Sequence, residues 1–192
     1  VNLIRVCPLT REAHIAFTTT DPNTFLAFAP YVGAPWQIIE TYASISAKYA
    51  GSTDNIHVTA IGVNPLTGYT VYAICQGGEN VKLFGGSGGV FTAKATISVN
   101  TNNGATLTYG LGNWIFTAGG YAIVLNGDAS SVVRTVSIGT FICSRHVRAS
   151  TTGKTIHFND ATASVTLGSG NCTSFIAGVG DTAMDSLYNY ND

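Results

Sequence analysis

Apolar and polar residues alternate with a period of two along most of this chain, and Gly, Asn, Asp or Pro interrupts the alternation at intervals of about 8 to 12 residues. Successive side chains of an extended backbone point to opposite faces, so each alternating run predicts a half-buried strand. Residues 13–18 form the first such run, and Asp21-Pro22-Asn23 turns the chain into a second at 24–29. Residues 56–63 and 69–75 follow, joined by Asn64-Pro65-Leu66-Thr67-Gly68; the second of these is the most β-prone stretch of the chain. A glycine-rich loop at 84–89 leads to strands at 90–92 and 95–99, and Asn102-Asn103-Gly104 carries a hairpin signal. Further runs lie near 113–117 and 121–125. Asn126-Gly127-Asp128 then feeds a long strand from Val132 to about Val147, and shorter runs close the chain at 155–158, 164–167 and 174–176.

One segment reads two ways. Between Trp36 and Tyr49 the residues Trp36, Ile39, Tyr42, Ile45 and Tyr49 make a helical stripe, whereas Ile39, Ala43, Ile45, Ala47 and Tyr49 would share one face of a strand. The β-propensity of Thr41 and Tyr42 tips the reading toward a short helical turn near Trp36 and a strand from about Glu40.

Ten or more short strands without βαβ alternation predict an all-β sandwich or barrel. No repeat of fixed period is visible. At 192 residues the chain reads as a single domain, with a core over about residues 13–148 and the remainder, 149–192, as an extra hairpin, protrusion or arm. It opens Val1-Asn2-Leu3-Ile4-Arg5, without Met or a signal-peptide pattern, as a processed or truncated product would.

Composition changes the picture. Hydrophobic residues make up 45% of the chain, an ordinary share, but only 10% are Asp, Glu, Lys or Arg, against about 25% in a typical soluble domain. Gly, Thr, Ser and Asn take the place of the missing charge. A surface of that kind is poorly protected against association, so it is expected to be covered by copies of the chain or by a partner. No apolar stretch of about 20 residues is present, which predicts no bilayer-spanning helix. A net charge of −1 singles out neither nucleic acid nor an anionic membrane.

Catalytic and metal chemistry find little support. Cys7, Cys75, Cys143 and Cys172 are far apart, with no CxxC pair and no Cys/His cluster; Cys75 and Cys143, set in apolar runs, read as buried free thiols. His14, His57, His146 and His157 lack HxxxH or HExxH spacing, and no GxSxG elbow occurs. A triad assembled in space around His57 or His146, with Asp54 or Asp128, is the enzymatic alternative. The glycines at 85–89 precede a strand, not a helix N-terminus with Gly-Lys-Ser/Thr, so they read as a tightly approached or flexible loop, not a phosphate cradle. No catalytic residue, cofactor or metal is expected. Asn171-Cys172-Thr173 matches the glycosylation sequon, which acts in a secreted chain.

Charge is nonetheless uneven. Between Ala129 and Asn159 lie Arg134, Arg145, Arg148 and Lys154, four of the nine basic residues, and no acidic one. Such a segment suits phosphate contact, but from the residues alone it reads first as a solvated strand edge guarded against pairing.

The order of segments resembles the single jelly-roll coat proteins of small positive-strand RNA viruses, tymovirus-like and nodavirus-like. Three stretches carry the likeness, over roughly 36–148: Glu40-Thr41-Tyr42-Ala43-Ser44-Ile45-Ser46-Ala47-Lys48-Tyr49 with the apolar run that follows; Gly77-Gly78-Glu79-Asn80 through Phe84-Gly85-Gly86 to Thr96-Ile97-Ser98-Val99; and Tyr121-Ala122-Ile123-Val124-Leu125 with the run 133–141. The extension beyond Arg148 departs from the family. The resemblance implies a jelly-roll sandwich with short helical turns and a self-assembling coat subunit of a virion. It implies copies of the chain as partners, and genomic RNA lying on Arg134, Arg145, Arg148 and Lys154. The rival from another class is a binding module, such as the trimeric receptor- or glycan-binding head of a viral or phage fibre or a secreted sugar-binding sandwich. Trp36, Trp114 or Tyr188 would be its contacts.

Overall fold

The computed structural model describes residues 3–7, 9–17, 26–48, 56–76, 80–101, 105–110, 112–137, 147–150, 155–158, 163–167, 172–177 and 189–190, from residue 136 onward as backbone. The all-β expectation holds. Strands β1 (Leu3–Val6), β2 (Ala13–Ala16), β3 (Leu26–Ala29) and β4 (Gln37–Glu40) make a first sheet; β5 (His57–Val63), β6 (Thr70–Gln76), β7 (Asn80–Ser87) and β8 (Val90–Ser98) make a second. The third holds β9 (Thr106–Gly110), β10 (Asn113–Ala118), β11 (Tyr121–Leu125) and β12 (Val132–Ser137). The fourth holds β13 (Val147–Ser150), β14 (Thr155–Phe158), β15 (Ala163–Leu167) and β16 (Cys172–Ala177), with β17 (Asn189–Tyr190) parallel to β13. Contacts group the chain into two compact units, Val1–Ser98 and Val99–Asp192, each with two sheets.

Apart from the β13–β17 pair, every described ladder joins consecutive strands in antiparallel fashion. This order does not reproduce the jelly roll, whose Greek keys pair strands remote in sequence. Short turns account for the difference. Gly88 and Gly89 both take positive φ, 59° and 80°, as do Gly119 and Gly120 at 56° and 81°. Two such residues in a row make the tight turn whose twist matches flanking antiparallel strands, so β7 must return as β8 and β10 as β11. The expected loop at 84–89 is therefore mostly strand, with only its last two glycines turning. Asn64–Gly68 acts likewise between β5 and β6: the Asn64 side-chain oxygen accepts from Leu66 N–H at 2.9 Å, and Gly68 N–H donates to the Asn64 carbonyl at 2.9 Å. Asn102-Asn103-Gly104, Cys143 and residues 138–146 of the expected long strand lie outside the described residues.

Within the first unit the two sheets pack face to face. Leu3, Ala16 and Leu26 form a row across β1, β2 and β3, and Ile61, Tyr72 and Phe84 form one across β5, β6 and β7. These rows meet in a core that also holds Ile45, Ile56, Val58 and Ile74. Full burial of each large aliphatic side chain contributes about 1.5–3 kcal/mol. The core residues of β6 are buried on both faces from Thr70 to Cys75, which explains its unbroken apolar character. Cys7 and Cys75 are buried thiols that form no disulfide, as expected for Cys75.

The ambiguous segment resolves the other way round. Residues Gln37–Glu40 form β4, and α1 spans Tyr42–Lys48. Thr41 caps the helix reciprocally. Ser44 N–H donates to Thr41 Oγ1 at 3.1 Å and Thr41 N–H donates to Ser44 Oγ at 3.0 Å, a capping box with Ser in the usual Glu/Gln position. Ile45 then falls into the core while Ala43 and Ala47 are exposed, so the apparent strand alternation is incidental.

The β7–β8 hairpin yields a contrast between its glycines. A Cβ at Gly86 would overlap the Val90 carbonyl oxygen of the paired strand, whereas one at Gly88 meets nothing and has only its positive φ against it. Gly86→Ala is expected to cost at least about 2 kcal/mol in urea unfolding, and Gly88→Ala about 1 kcal/mol. Equal losses would mean that the close approach is not what requires glycine at position 86.

Candidate interaction surfaces

The first sheet has two faces, and register decides what each carries. Opposite partners share a face, so Leu3–Ala16–Leu26 look into the core while the neighbouring row Ile4–Ile15–Ala27–Ile38 looks away from it. Val6, Ala13 and Ala29 lie on the same outer side. No Asp, Glu, Lys or Arg occurs among these residues. The segment after β3 folds back on this face: a turn closed by Ala34 N–H donating to the Tyr31 carbonyl sets Ala34 against Ala13 and Ala29. At the two ends of the row Ile4 and Ile38 are 52% and 57% exposed, whereas Ile15 is half-buried and Ala27 is buried. The period-two pattern of β1 and β2 is thus not polar-out: Ile4, Val6, Ala13 and Ile15 lie on the outer side, while Arg5 and His14 lie on the side of Leu3 and Ala16.

On the inner side the next row is Arg5–His14–Phe28–Gln37, and within it His14 is fully buried. Thr70 Oγ1–H donates to the Gly68 carbonyl at 3.1 Å, so Thr70 Oγ1 accepts from His14 Nε2–H at 3.2 Å. His14 Nδ1 accordingly accepts from the Tyr72 hydroxyl at 2.6 Å. Phe28, Tyr72 and Phe91 rings surround the imidazole at 5.4, 5.8 and 6.3 Å. With both nitrogens engaged and aromatic rings around it, burial lowers its pKa from 6.5 to about 4. Burial, and secondarily the Glu12 charge, pushes the Tyr72 hydroxyl well above its ordinary range. This chain of donors ties β2 to β6 and serves structure; it offers no free base.

The basic segment is in part described. Arg134 lies on β12, half-buried, opposite Val124; Arg148 lies on β13, opposite His157 in register. Arg145 and Lys154 fall outside the described residues, as do Asp54, His146, Asn171 and Tyr188. Of the aromatics weighed as sugar contacts, Trp36 is exposed, whereas Trp114 is fully buried, donating its indole N–H to the Gly127 carbonyl at 3.0 Å and meeting the Tyr109 ring edge-on. Trp114 is a core residue. Among the described residues no cluster of three His, Cys, Asp or Glu could hold a metal ion, and no helix is long and apolar enough to cross a membrane. A shallow pocket of about 290 Å³ is lined by Lys82, Phe84, Phe91 and Ala93, without an acid, base or nucleophile pair. No protein-family model matches the chain, and no curated protein matches its sequence.

His14 gives a pH dependence of known sign. Its folded pKa lies below the unfolded value, so between pH 6.5 and 4 the unfolded chain binds a proton that the folded chain refuses. Unfolding free energy is expected to fall as pH drops through this window, by about 3 kcal/mol in all, with no contribution above pH 6.5. Replacing His14 with Asn should flatten that slope in urea titrations at each pH. An unchanged slope would assign it to other groups.

Proposed function

We propose that this chain is a structural subunit that assembles with copies of itself into a closed shell around nucleic acid, a virion coat in function. The observation that carries the proposal is the distribution of exposed apolar side chains in a chain poor in charge. Among the described residues they occur on the first sheet, at the turn residue Leu66, at the β7–β8 hairpin (Val90), and in the second unit at Tyr121, Val132 and Val133. A protein with one partner needs one such patch. A subunit of a closed assembly meets neighbours on several sides and needs several.

Arg134, Arg145, Arg148 and Lys154 then form the surface turned toward the genome, where phosphate contact is independent of sequence. Sedimentation velocity and negative-stain microscopy at near-physiological salt test the assembly: closed particles of many copies are expected. A monomer at all concentrations contradicts the proposal, and a trimer with nothing larger favours a fibre-head binding module. The genome-facing role has its own readout. Replacing Arg134 and Arg148 with Gln should reduce the salt dependence of nucleic-acid affinity by about 0.7–0.9 per contact removed, uniformly across sequences. An unaltered salt slope would remove both residues from that surface.

A further inference from the structure

The sequence holds two Asn-Gly pairs, Asn103-Gly104 and Asn126-Gly127, and the second lies among the described residues. That dipeptide carries its own chemistry. Glycine has no Cβ to shield its backbone nitrogen, and attack of this nitrogen on the preceding side-chain amide closes a five-membered ring within one chain. A bond forms from Gly127 N to Asn126 Cγ, and the bond from Cγ to Nδ2 breaks. The proton of the attacking nitrogen leaves with Nδ2 as ammonia. Water then opens the succinimide at either carbonyl, giving Asp or an isoaspartate whose backbone runs through the former side chain. Gly127 is exposed, so water reaches the site.

The loop 126–131 between β11 and β12 grips that amide at both ends. Asn126 Oδ1 accepts from Ser131 N–H at 3.1 Å, and Asn126 Nδ2–H donates to Ser130 Oγ at 2.9 Å. Ser130 is itself fixed, its hydroxyl donating to Asp128 Oδ1 at 2.7 Å and its N–H to the same oxygen at 3.2 Å. The backbone is pinned as well. Asn126 N–H donates to the Ser131 carbonyl at 3.1 Å, Ala129 N–H donates to the Asn126 carbonyl at 2.9 Å, and the buried Trp114 indole holds the Gly127 carbonyl at 3.0 Å. Ala129 is fully buried at a φ of 61°, a conformation that a residue other than glycine keeps only when its surroundings impose it. Attack must come from above the amide plane and make Cγ tetrahedral, which carries Oδ1 and Nδ2 out of line with both partners. The direction of the Ser130 bond opposes the reaction too: the departing nitrogen needs a proton, whereas Ser130 gives its own to Asp128.

We propose that Asn126 is a latent deamidation site: the Ser130–Ser131 clamp on its side-chain amide keeps Gly127 N from closing the ring while the 126–131 loop is folded, and opening of that loop converts Asn126 to Asp or isoaspartate. The change is one-way. A carboxylate at position 126 has no N–H for Ser130 and competes with Asp128 for a single hydroxyl hydrogen. An isoaspartate lengthens the backbone by one carbon beside the carbonyl that Trp114 holds. Neither product refits the loop, so the modification marks a chain in which it has once opened.

The test is peptide mapping by mass spectrometry on the full chain held in mildly alkaline buffer, folded and in concentrated urea, following conversion of amide to carboxyl at Asn126. In urea Asn103, which has the same neighbour, is the reference, and the two pairs should react at similar rates. In the folded chain Asn126 is expected to react at least about tenfold more slowly than in urea, because both amide hydrogen bonds must break first. Ser130→Ala removes one of them at an exposed position and should raise the folded rate by about threefold or more without changing the rate in urea. Asp128→Ala, which releases the Ser130 hydroxyl, serves if Ser130→Ala does not fold. Thr106→Val removes the Thr106–Thr117 hydrogen bond elsewhere in the third sheet and should leave the folded rate as it was. An Asn126 that reacts as fast folded as in urea overturns the proposal, and so does a Ser130→Ala chain that reacts no faster than the unaltered one. Equal acceleration by Thr106→Val at a matched loss of thermal stability would assign the protection to the sheet as a whole, and the clamp would fall.

Discussion

A sheet has two faces, and packing two sheets together hides one face of each. In the first sheet of this protein the apolar row Ile4–Ile15–Ala27–Ile38 lies on the side turned away from the core, while Arg5 and His14 lie on the inner side. The sheet's inner row Leu3–Ala16–Leu26 packs in the sandwich core with the second sheet, and at the ends of its outer row Ile4 and Ile38 are left exposed. Water on such a face is a continuing cost, at roughly 25 cal/mol per Å². A chain with a normal complement of surface charge could confine that cost to one spot and stay soluble. This one has charge at only 10% of positions, and the proposed self-assembly rests on that scarcity together with the exposed apolar residues of this face.

The same sandwich has one polar pin. In a core of Leu, Ile and Phe, sliding one sheet against the other changes packing gradually. The hydrogen bonds from Tyr72 through His14 to Thr70 and the Gly68 carbonyl exist in one alignment only, and losing them would leave polar atoms buried without partners. His14 thus fixes how the first sheet lies on the second, and with it which residues of β1 to β4 are turned outward. The outer face owes its definition to the histidine on the inner one.

Much of this was legible in the sequence. Alternation and turn residues located β2, β5, β6, β10, β11 and the short strands β14 to β16, because a strand's period is local and Gly, Asn and Pro mark its ends. Helix α1 was misplaced because Thr41-Tyr42 favours a strand, whereas a capping box with Ser44 as its reciprocal member is a faint signal, and burial of Ile45 decided the outcome. Strands β1 and β7 escaped notice: β1 is four residues long, and the glycines of β7 read as loop although Gly85 and Gly86 are there to let Tyr69 and β8 approach. The strand order was beyond the alternation pattern, since pairing depends on turn geometry rather than on which residues are apolar. The outer face was hidden for a related reason. Alternation between Leu3 and Val6 or between Ala13 and Ala16 says which residues share a side, but Arg5 and His14 make the inner side the more polar one, so the pattern points outward the side that faces the core. Composition alone carried the expectation that some face is covered.

The chain contains a native reporter for that face. It has two tryptophans; Trp114 is fully buried in the third sheet, and Trp36 is 48% exposed beside Ile38, so collisional quenching by acrylamide reads Trp36 almost alone. Quenching should be measured on the unmodified chain as its concentration is raised from monomer to assembly. If the outer face of the first sheet is what assembly covers, the quenchable fraction falls in step with the assembled fraction. Fluorescence that remains as quenchable in the assembled chain as in the monomer would contradict the account.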